Sequence, residues 1–268
     1  MSGSSKYIKI VAYLLAVAII LGICSLIYNF VMLFVPVNNK IEVKEYSKTF
    51  KNVKELDIEL SSSSLTIEEG DIFKIEARDL PAKIKVSNDD GKVKIKMNKS
   101  YFNINTGNIV ITVPKKLDYL LLRAGAGNID ISDIVVKKVR IELGAGSSRF
   151  DNVEFKNAKI NGGAGNLEIN DSKLTDAKID AGVGKIDISA YLYGDSDIEC
   201  GIGKTSITLL GDEDMYSLGI EKGLGTILLD GKEYSGDVNY GKGENKIEIE
   251  GGIGEISVRF RKDRRRKE

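Results

Sequence analysis

The sequence predicts an all-β repeat protein, a β-solenoid with 19-residue coils, preceded by one N-terminal transmembrane α-helix. Three observations predict it: Gly-x-Gly pairs recur every 19 residues, apolar and polar residues alternate between the pairs, and 26 consecutive uncharged residues precede this part. Alternation with period two is typical of strands with one buried face. The expected boundaries are a short cytoplasmic N-terminus (1–9), a membrane helix (10–35), a linker (36–50), the solenoid (51–258) and a basic tail (259–268).

The N-terminal apolar segment reads IVAYLLAVAIILGICSLIYNFVMLFV over residues 10–35. As a helix it would be ~39 Å long, which exceeds the ~30 Å hydrocarbon core of a bilayer. It lacks the polar face of a soluble helix and the small-residue cleavage site of a signal peptide, so we expect an uncleaved anchor. Lys6 and Lys9 precede it, and Pro36–Asn39 carry no charge. The positive-inside rule then predicts a cytoplasmic N-terminus and an extracytoplasmic β-domain in the cell membrane.

Gly-x-Gly pairs recur through the second half of the chain. Five pairs lie in strict register, at Gly125 and Gly127, Gly144 and Gly146, Gly163 and Gly165, Gly182 and Gly184, and Gly201 and Gly203. Looser pairs follow at Gly223 and Gly225, Gly241 and Gly243, and Gly252 and Gly254. Glycine permits positive φ and close approach of neighbouring backbone, so we interpret these residues as structural corners of successive coils.

Alignment of the coils on the first glycine predicts the core. It includes the residue between the glycines (Ala126, Ala145, Ala164, Val183, Ile202). It continues with a first strand (Ile129 and Ile131, Ser148 and Phe150, Leu167 and Ile169, Ile186 and Ile188, Thr205 and Ile207) and a second strand (Val139 and Ile141, Ala158 and Ile160, Ala177 and Ile179, Ser196 and Ile198). A larger residue lies between the strands (Val136, Phe155, Leu174, Tyr193). Stacked coils would place equivalent residues ~4.8 Å apart, with Asp130, Arg149, Glu168 and Asp187 facing outward.

The part of the chain before the repeats is less regular but also favours β-structure. Lys83–Val86 and Lys92–Met97 alternate cleanly, and Asn88–Gly91 between them is a strong turn signal. Leu56–Leu60 and Ile109–Val113 alternate as well, and no shift in composition marks a second domain. We therefore expect one continuous β-domain.

The composition limits the chemistry that the chain can perform. Lys plus Arg and Asp plus Glu are both 39, which gives no global charge bias toward nucleic acid. The absence of histidine removes a common metal ligand and the commonest acid–base group. Cys24 lies in the apolar segment and Cys200 among the repeats, so no disulfide is expected between them. We predict no catalytic residues, no metal site and no cofactor.

Three patterns resemble functional motifs, but each departs from what its motif requires. Gly203–Thr205 looks like the end of a phosphate-binding loop, but the glycine required five residues earlier is replaced by Ile198. Gly162–Asn166 looks like part of a calcium-binding nonapeptide repeat, but Leu167 replaces the required acidic residue. Outward carboxylates could form the acidic pair of a polysaccharide-active enzyme, yet Arg149 lies between two of them. Such an enzyme ranks third among the functional hypotheses.

The segment Ile109–Lys115, followed by repeated Gly-Ala-Gly-Asn-Ile-Asp-Ile-type units, resembles the bacterial putative-adhesin family, whose domains are also called toast-rack domains. The resemblance covers roughly residues 50–258. It implies a single-stranded right-handed β-helix that occurs beside, or attached to, membrane proteins of envelope-stress systems. It also implies an extracytoplasmic sensing, scaffolding or binding role, and it supplies no catalytic residues.

Two non-enzymatic hypotheses follow from these observations. The first is a membrane-anchored binding, sensing or scaffold module at the bacterial cell envelope, which the family resemblance connects with envelope stress. The second is a surface adhesin that contacts glycans or host material. The expected partners are the lipid bilayer, other membrane or envelope proteins, and a cell-wall or glycan polymer, but no nucleic acid.

The basic tail is the one strong charge run of the chain. Each of its cations would contribute up to ~1 kcal/mol near an anionic surface. The candidates for contact with anionic lipid or wall polymers are Arg261, Lys262, Arg264, Arg265, Arg266 and Lys267. The alternative is a solvated end that keeps the last coil from pairing with another chain.

Overall fold

The computed structural model describes residues 45–80, 84–97 and 107–262. The strands in the first part of this range are β1 (Tyr46–Phe50), β2 (Glu55–Ser62), β3 (Ser64–Glu69), β4 (Phe73–Arg78), β5 (Ile84–Asp89), β6 (Lys92–Met97), β7 (Asn108–Val113), β8 (Lys116–Ser132), β9 (Val135–Asp151), β10 (Glu154–Lys156) and β11 (Ala158–Asn161). The remainder are β12 (Ala164–Thr175), β13 (Lys178–Asp180), β14 (Val183–Tyr193), β15 (Asp195–Glu199), β16 (Ile202–Leu210), β17 (Tyr216–Glu221), β18 (Leu224–Leu229), β19 (Lys232–Tyr234), β20 (Val238–Gly241), β21 (Asn245–Glu250) and β22 (Ile253–Arg261). A 3₁₀ turn (Glu213–Met215) precedes β17.

Of the N-terminal segments predicted from the sequence, the structure describes only residues 45 onward. The helix expected over residues 10–35 lies outside the described residues, and within them no helix is long and apolar enough to cross a membrane. The expected linker over residues 36–50 overlaps β1, which pairs antiparallel with β4. Residues 46–50 therefore belong to the β-domain.

Parallel, in-register pairing between successive coils confirms the all-β solenoid. Ile141 pairs with Ile160, Ile160 with Ile179, and Ile179 with Ile198, each 19 residues apart. All four side chains are at most 1% exposed, so they form one buried ladder at a spacing of ~4.8 Å. The predicted inward positions of both strands are buried as well, including Ser148, Ser196 and Thr205. The right-handed sense stays a prediction.

The coils do not stack in chain order at either end of the solenoid. β2 pairs in parallel with β8 on one side and with β6 on the other, and β3 likewise lies between β8 and β7. At the other end β21 lies between β15 and β17, and β22 lies between β16 and β18. The first and last coils of the described chain are therefore hydrogen-bonded on both sides.

Antiparallel strands cover the edges that this arrangement leaves. β5 pairs with β6 through the turn at Asp90 and Gly91, which have φ of 44° and 82°, as the sequence predicts for this segment. β4 pairs with β7 near the same end, while β20 and β19 pair with β17 and β18 at the other end. The open edges are thereby moved to β1, β5, β19 and β20, which have three to six residues each, and short edge strands limit association with other chains.

Asparagine and aspartate residues form two further sets of corners that sequence analysis missed. Asp133, Asn152 and Asp171, each 19 residues apart, have φ of 61°, 51° and 45°. Asn157 and Asp176 have φ of 44° and 49° at the next corner. These two residue types tolerate the left-handed region because their short polar side chains bond locally. The corners of neighbouring coils are also linked to each other, since Asn152 Nδ2 donates to Asp133 Oδ1 at 2.7 Å.

One predicted core residue is wrong because of a register shift. A bulge between Ile169 and Ser172 shifts the pairing of β12 with β14. As a result Leu174 stacks on Leu192, which is fully buried, instead of on Tyr193. Tyr193 is half-buried on the outer side, where its ring stacks on that of Tyr191 with centroids 5.9 Å apart.

Candidate interaction surface

The Gly-x-Gly corners bring neighbouring coils into backbone contact. A Cβ atom added at Gly163 would lie 1.7 Å from the carbonyl oxygen of Gly144, and one added at Gly165 would lie 1.8 Å from that of Gly146. The second glycine of each strict pair also has a positive φ, from 128° at Gly127 to 146° at Gly165. L-residues with a side chain are excluded here both by contact and, at the second position, by conformation.

The residue between the glycines faces solvent, which corrects its assignment to the core. Val183, Ile202, Ile253 and Leu224 are 54%, 52%, 51% and 74% exposed. The side chain lies on the outside of the bend, and in each of these coils the chain returns to the core three residues later, at Ile186, Thr205, Ile256 and Ile227, which are all buried. We call the whole row the apolar ladder; in spatial order it comprises Ala126, Ala145, Ala164, Val183, Ile202, Ile253 and Leu224.

The apolar ladder becomes bulkier toward the C-terminal coils. Three alanines are followed by valine, two isoleucines and leucine. Equivalent residues on paired strands are ~4.8 Å apart, so the four large side chains form a row ~14 Å long. Four of the five exposed large hydrophobic residues in the described part of the chain lie in this row, and Ile72 is the fifth.

A row of carboxylates follows the apolar ladder on one side. We call it the acidic ladder: Asp180, Glu199, Glu250 and Glu221, each three residues before a member of the apolar ladder and in register with one another. Lys178 pairs with Glu199 at 2.6 Å and with Asp180 at 3.7 Å. The hydrogen bond to Glu199 and the nearby carboxylates raise the pKa of Lys178.

The last two members of the acidic ladder are not neutralised. Glu221 pairs directly with Glu250 in the strand register, and within the described residues neither has a salt bridge. Like charges on adjacent strands destabilise each other. On the other side of the apolar ladder Lys204 pairs with Glu255 at 2.8 Å and Lys185 pairs with Asp187. Lys222, next to Glu221, donates to the carbonyl oxygen of Ser235 at 2.9 Å and has no salt bridge among the described residues. Two unpaired carboxylates against this one cation leave the charge beside the ladder negative.

A shallow recess follows the same glycine corners. Apolar residues line it, among them Ile129, Leu167, Ile186 and Ile256. Cys200 also contributes to it, and burial raises the pKa of its thiol. A raised pKa lowers the thiolate fraction, which favours an apolar filler over a nucleophile at Cys200.

The start of the predicted basic tail belongs to the last strand. Arg261 ends β22, where it pairs with Asp171 at 2.9 Å and donates to Ser189 Oγ at 3.0 Å. Phe260 beside it packs on Tyr216 and Tyr240. Lys262 Nζ is 3.7 Å from Asp212. The other candidate contact residues, Arg264, Arg265, Arg266 and Lys267, lie outside the described residues.

Three of the four residues predicted to face outward in one row, Arg149, Glu168 and Asp187, form ion pairs. Arg149 Nε donates to Glu168 Oε2 at 3.1 Å, and this bond raises the pKa of the Arg149 guanidinium. Lys185 pairs with Asp187 one coil further on. Across residues 45–80, 84–97 and 107–262, no group of three or more Cys, Asp or Glu side chains could hold a metal ion.

These features define a β-solenoid with an exposed apolar row on a rigid corner. The chain belongs to the family described as Toastrack DUF4097, whose model matches residues 53–267, which confirms the resemblance inferred from the repeats. No curated protein matches the sequence significantly.

Comparison with solved structures finds similar chains at low identity, and a TM-score above 0.5 to the first of them shows a shared fold. A putative adhesin from Bacteroides fragilis is 15% identical with a TM-score of 0.57, over 82% of this chain and 98% of that one. A putative adhesin from Parabacteroides distasonis is 11% identical with a TM-score of 0.45, over 82% and 97%. A putative lipid binding protein from the same species is 13% identical with a TM-score of 0.39, over 83% and 98%.

Proposed function

We propose that this chain is a non-enzymatic binding or scaffold module at the bacterial cell envelope. The observation that carries the proposal is the apolar ladder, in which Val183, Ile202, Ile253 and Leu224 are all more than half exposed. Exposed aliphatic side chains scattered singly are ordinary, whereas a continuous row on a rigid scaffold marks a contact site. Membership of the Toastrack family supports a binding role, as does the name putative adhesin of the similar Bacteroides fragilis structure.

Photo-crosslinking in intact cells tests this function. A photoreactive residue at Ile202 is expected to give a discrete adduct, because a bound partner would lie within contact distance. The matched control is the same residue at Ile72, which is 56% exposed but lies outside the apolar ladder. Absence of an adduct at Ile202, Ile253 and Leu224 would exclude a binding role for this surface.

The proposal includes the location of the module. The uncharged segment over residues 10–35 supports a membrane anchor, and Lys6 and Lys9 support a cytoplasmic N-terminus. The β-domain would then be extracytoplasmic, where it could participate in envelope-stress signalling.

Thiol labelling tests the proposed topology. Lys232→Cys, in a Cys24→Ala and Cys200→Ala background, is expected to react with a membrane-impermeant reagent in intact cells. Ser4→Cys in the same background is the control and should react only after lysis. Labelling of Lys232→Cys only after lysis would reverse the proposed orientation.

A glycan-binding adhesin is the second candidate. The stacked pair of Tyr191 and Tyr193 favours it, because outward aromatic rings combine an apolar surface with polar hydroxyl groups. The interplanar angle of the two rings is 2°. This candidate predicts binding to a glycan array that Tyr193→Ala abolishes, and an array without any bound glycan would remove it.

A further inference from the structure

We propose that the apolar and acidic ladders together bind a basic amphipathic α-helix of a partner protein, lying along the solenoid axis. This inference rests on the proposed binding function and names the class of partner. The contact would use Val183, Ile202, Ile253 and Leu224 for apolar packing. Glu221 and Glu250 would receive the partner's cations.

Backbone pairing at the ladder excludes recognition by strand addition. The N–H groups of Val183, Ile202 and Ile253 each donate to a glycine carbonyl oxygen of a neighbouring coil at 2.9 Å. Leu224 N–H does the same at 2.8 Å. A peptide strand needs free backbone groups at a sheet edge, and the ladder offers only side chains. The partner must therefore satisfy its own backbone hydrogen bonds, as a helix does.

The spacing of the ladder matches one face of a helix. Successive rungs are ~4.8 Å apart. Helical residues three and four positions apart share a face and are separated by ~4.5–6.0 Å along the axis. Four rungs of the ladder span ~14 Å. Four residues on one face of a helix, separated by steps of three or four positions, span ~16 Å. The two rows therefore differ by less than half of the ~4.8 Å spacing between rungs. A helix parallel to the solenoid axis can thus place its aliphatic side chains between the rungs.

The charge beside the ladder determines the sign of the partner. Glu250 and Glu221 are exposed neighbours without a salt bridge, so a cation between them would relieve their repulsion. The lysines on the opposite flank, Lys185 and Lys204, are already paired. Lys or Arg residues are therefore expected along one flank of the helix.

Two other occupants fit less well. An anionic membrane would be repelled by the carboxylates of the acidic ladder. The apolar ladder is also only one side chain wide, which is little surface to insert into a bilayer. A second copy of this chain would bring the same unpaired carboxylates. Its Lys185 and Lys204 are engaged with Asp187 and Glu255, which leaves Lys222 as a single cation beside its ladder.

Peptide binding to the full chain tests the proposal. The probe is a fluorescent 18-residue helix with leucine on one face and lysine on the other, and the matched control peptide carries glutamate in place of lysine. The full chain is held in nanodiscs of zwitterionic lipid, and the anisotropy of empty nanodiscs is subtracted. We expect the lysine peptide to bind at least tenfold more tightly than the glutamate peptide.

Variants assign the binding to this surface. Ile202→Thr with Ile253→Thr should weaken the lysine peptide at least tenfold, whereas Ile72→Thr should leave it unchanged. Glu221→Gln with Glu250→Gln should reduce the preference for lysine over glutamate, whereas Glu68→Gln in β3, at the other end of the solenoid, should not. Thermal melts of each variant verify folding, and threonine retains the β-branched shape that a strand favours.

Three results would overturn the proposal: no binding above empty nanodiscs, equal binding of both peptides, or equal binding by the Ile202→Thr and Ile253→Thr variant. Sedimentation of the chain with anionic vesicles that depends on Ile202 would assign the surface to a membrane and overturn it as well. The crosslinking experiment at Ile202 distinguishes these failures from failure of the proposed binding function. An adduct at Ile202 would support binding by this surface even if the partner is not a basic helix.

Discussion

A Cβ atom built on Gly144 would lie 1.8 Å from the carbonyl oxygen of Gly125 in the preceding coil. The same contact recurs at Gly163, Gly182 and Gly201, so the stacking distance itself requires glycine. The corner that looks most like a ligand-binding motif in the sequence is thus a packing device. Its consequence for function is indirect, because the close approach of the coils aligns the exposed residues between the glycines into one row.

Replacement of a corner glycine should be strongly destabilising even where φ is ordinary. At Gly182 a Cβ would lie 1.8 Å from the carbonyl oxygen of Gly163, so Gly182→Ala must separate two coils. We expect a loss of roughly 3 kcal/mol or more in the free energy of unfolding, as for other severe overpacking. Denaturant unfolding provides the measurement. Gly236→Ala is the control, because nothing lies within 4 Å of its Cβ, and an equal effect of both changes would contradict the contact argument.

The register shift between β12 and β14 predicts unequal effects at two adjacent residues. Leu192 is fully buried and stacks on Leu174, so Leu192→Ala should cost about 2–5 kcal/mol of unfolding free energy. Tyr193 is half-buried on the outer face, so Tyr193→Ala should cost no more than ~1 kcal/mol. Chemical denaturation of the two variants decides the register. A larger loss at Tyr193 would restore the uniform 19-residue spacing that the sequence suggests.

The strict repeat made the central coils predictable from sequence. Ile160 and Ile179 are buried as expected because alternation and a constant spacing specify the same face twice. The prediction for Tyr193 is wrong because the spacing between paired residues is not constant. It falls from 19 to 18 at the bulge near Ser172 and returns to 19 after Gly194. Ile202 was misplaced because glycines on both sides remove the alternation that would indicate its direction.

Coil order could not be read from the sequence at all. β2 lies between β6 and β8, yet each of these strands shows the same alternation and would fit any neighbour. Parallel stacking preserves the buried face whichever coil follows, so the pattern carries no information about order. The acidic ladder was missed for a related reason: Glu250 and Glu221 become neighbours only because the last coil is inserted before the preceding one.

Tyr216 should make stability depend on pH in the alkaline range. Burial raises its pKa to about 12 from 10.0, and its hydroxyl donates to the carbonyl oxygen of Leu210. Above pH 10 the unfolded chain loses this proton while the folded chain retains it. The neutral hydroxyl therefore contributes stability below pH 10 that is lost between pH 10 and 12, in total about 2–3 kcal/mol.

Tyr216→Phe isolates this contribution from the other groups that titrate at high pH. Unfolding free energies of both proteins are measured by denaturant from pH 9 to 12. The variant should be less stable at pH 9, because the hydrogen bond to Leu210 is lost, and its stability should decline less steeply above pH 10. Parallel curves for the two proteins would show that Tyr216 does not titrate in this window.

The inserted last coil makes the C-terminus essential for its neighbours on both sides. β21 and β22 separate β15 and β16 from β17 and β18, so a chain ending at residue 244 would leave two coil surfaces unpaired. We expect amide hydrogens of β17 and β18 to lose exchange protection, because the strands on which they are stacked are absent. A chain ending at Lys262 retains both strands and is the control, with protection expected to be unchanged. A solenoid stacked in chain order would lose only its terminal coil in the shorter chain and would keep β17 and β18 protected, so the exchange pattern of these two strands distinguishes inserted from sequential stacking.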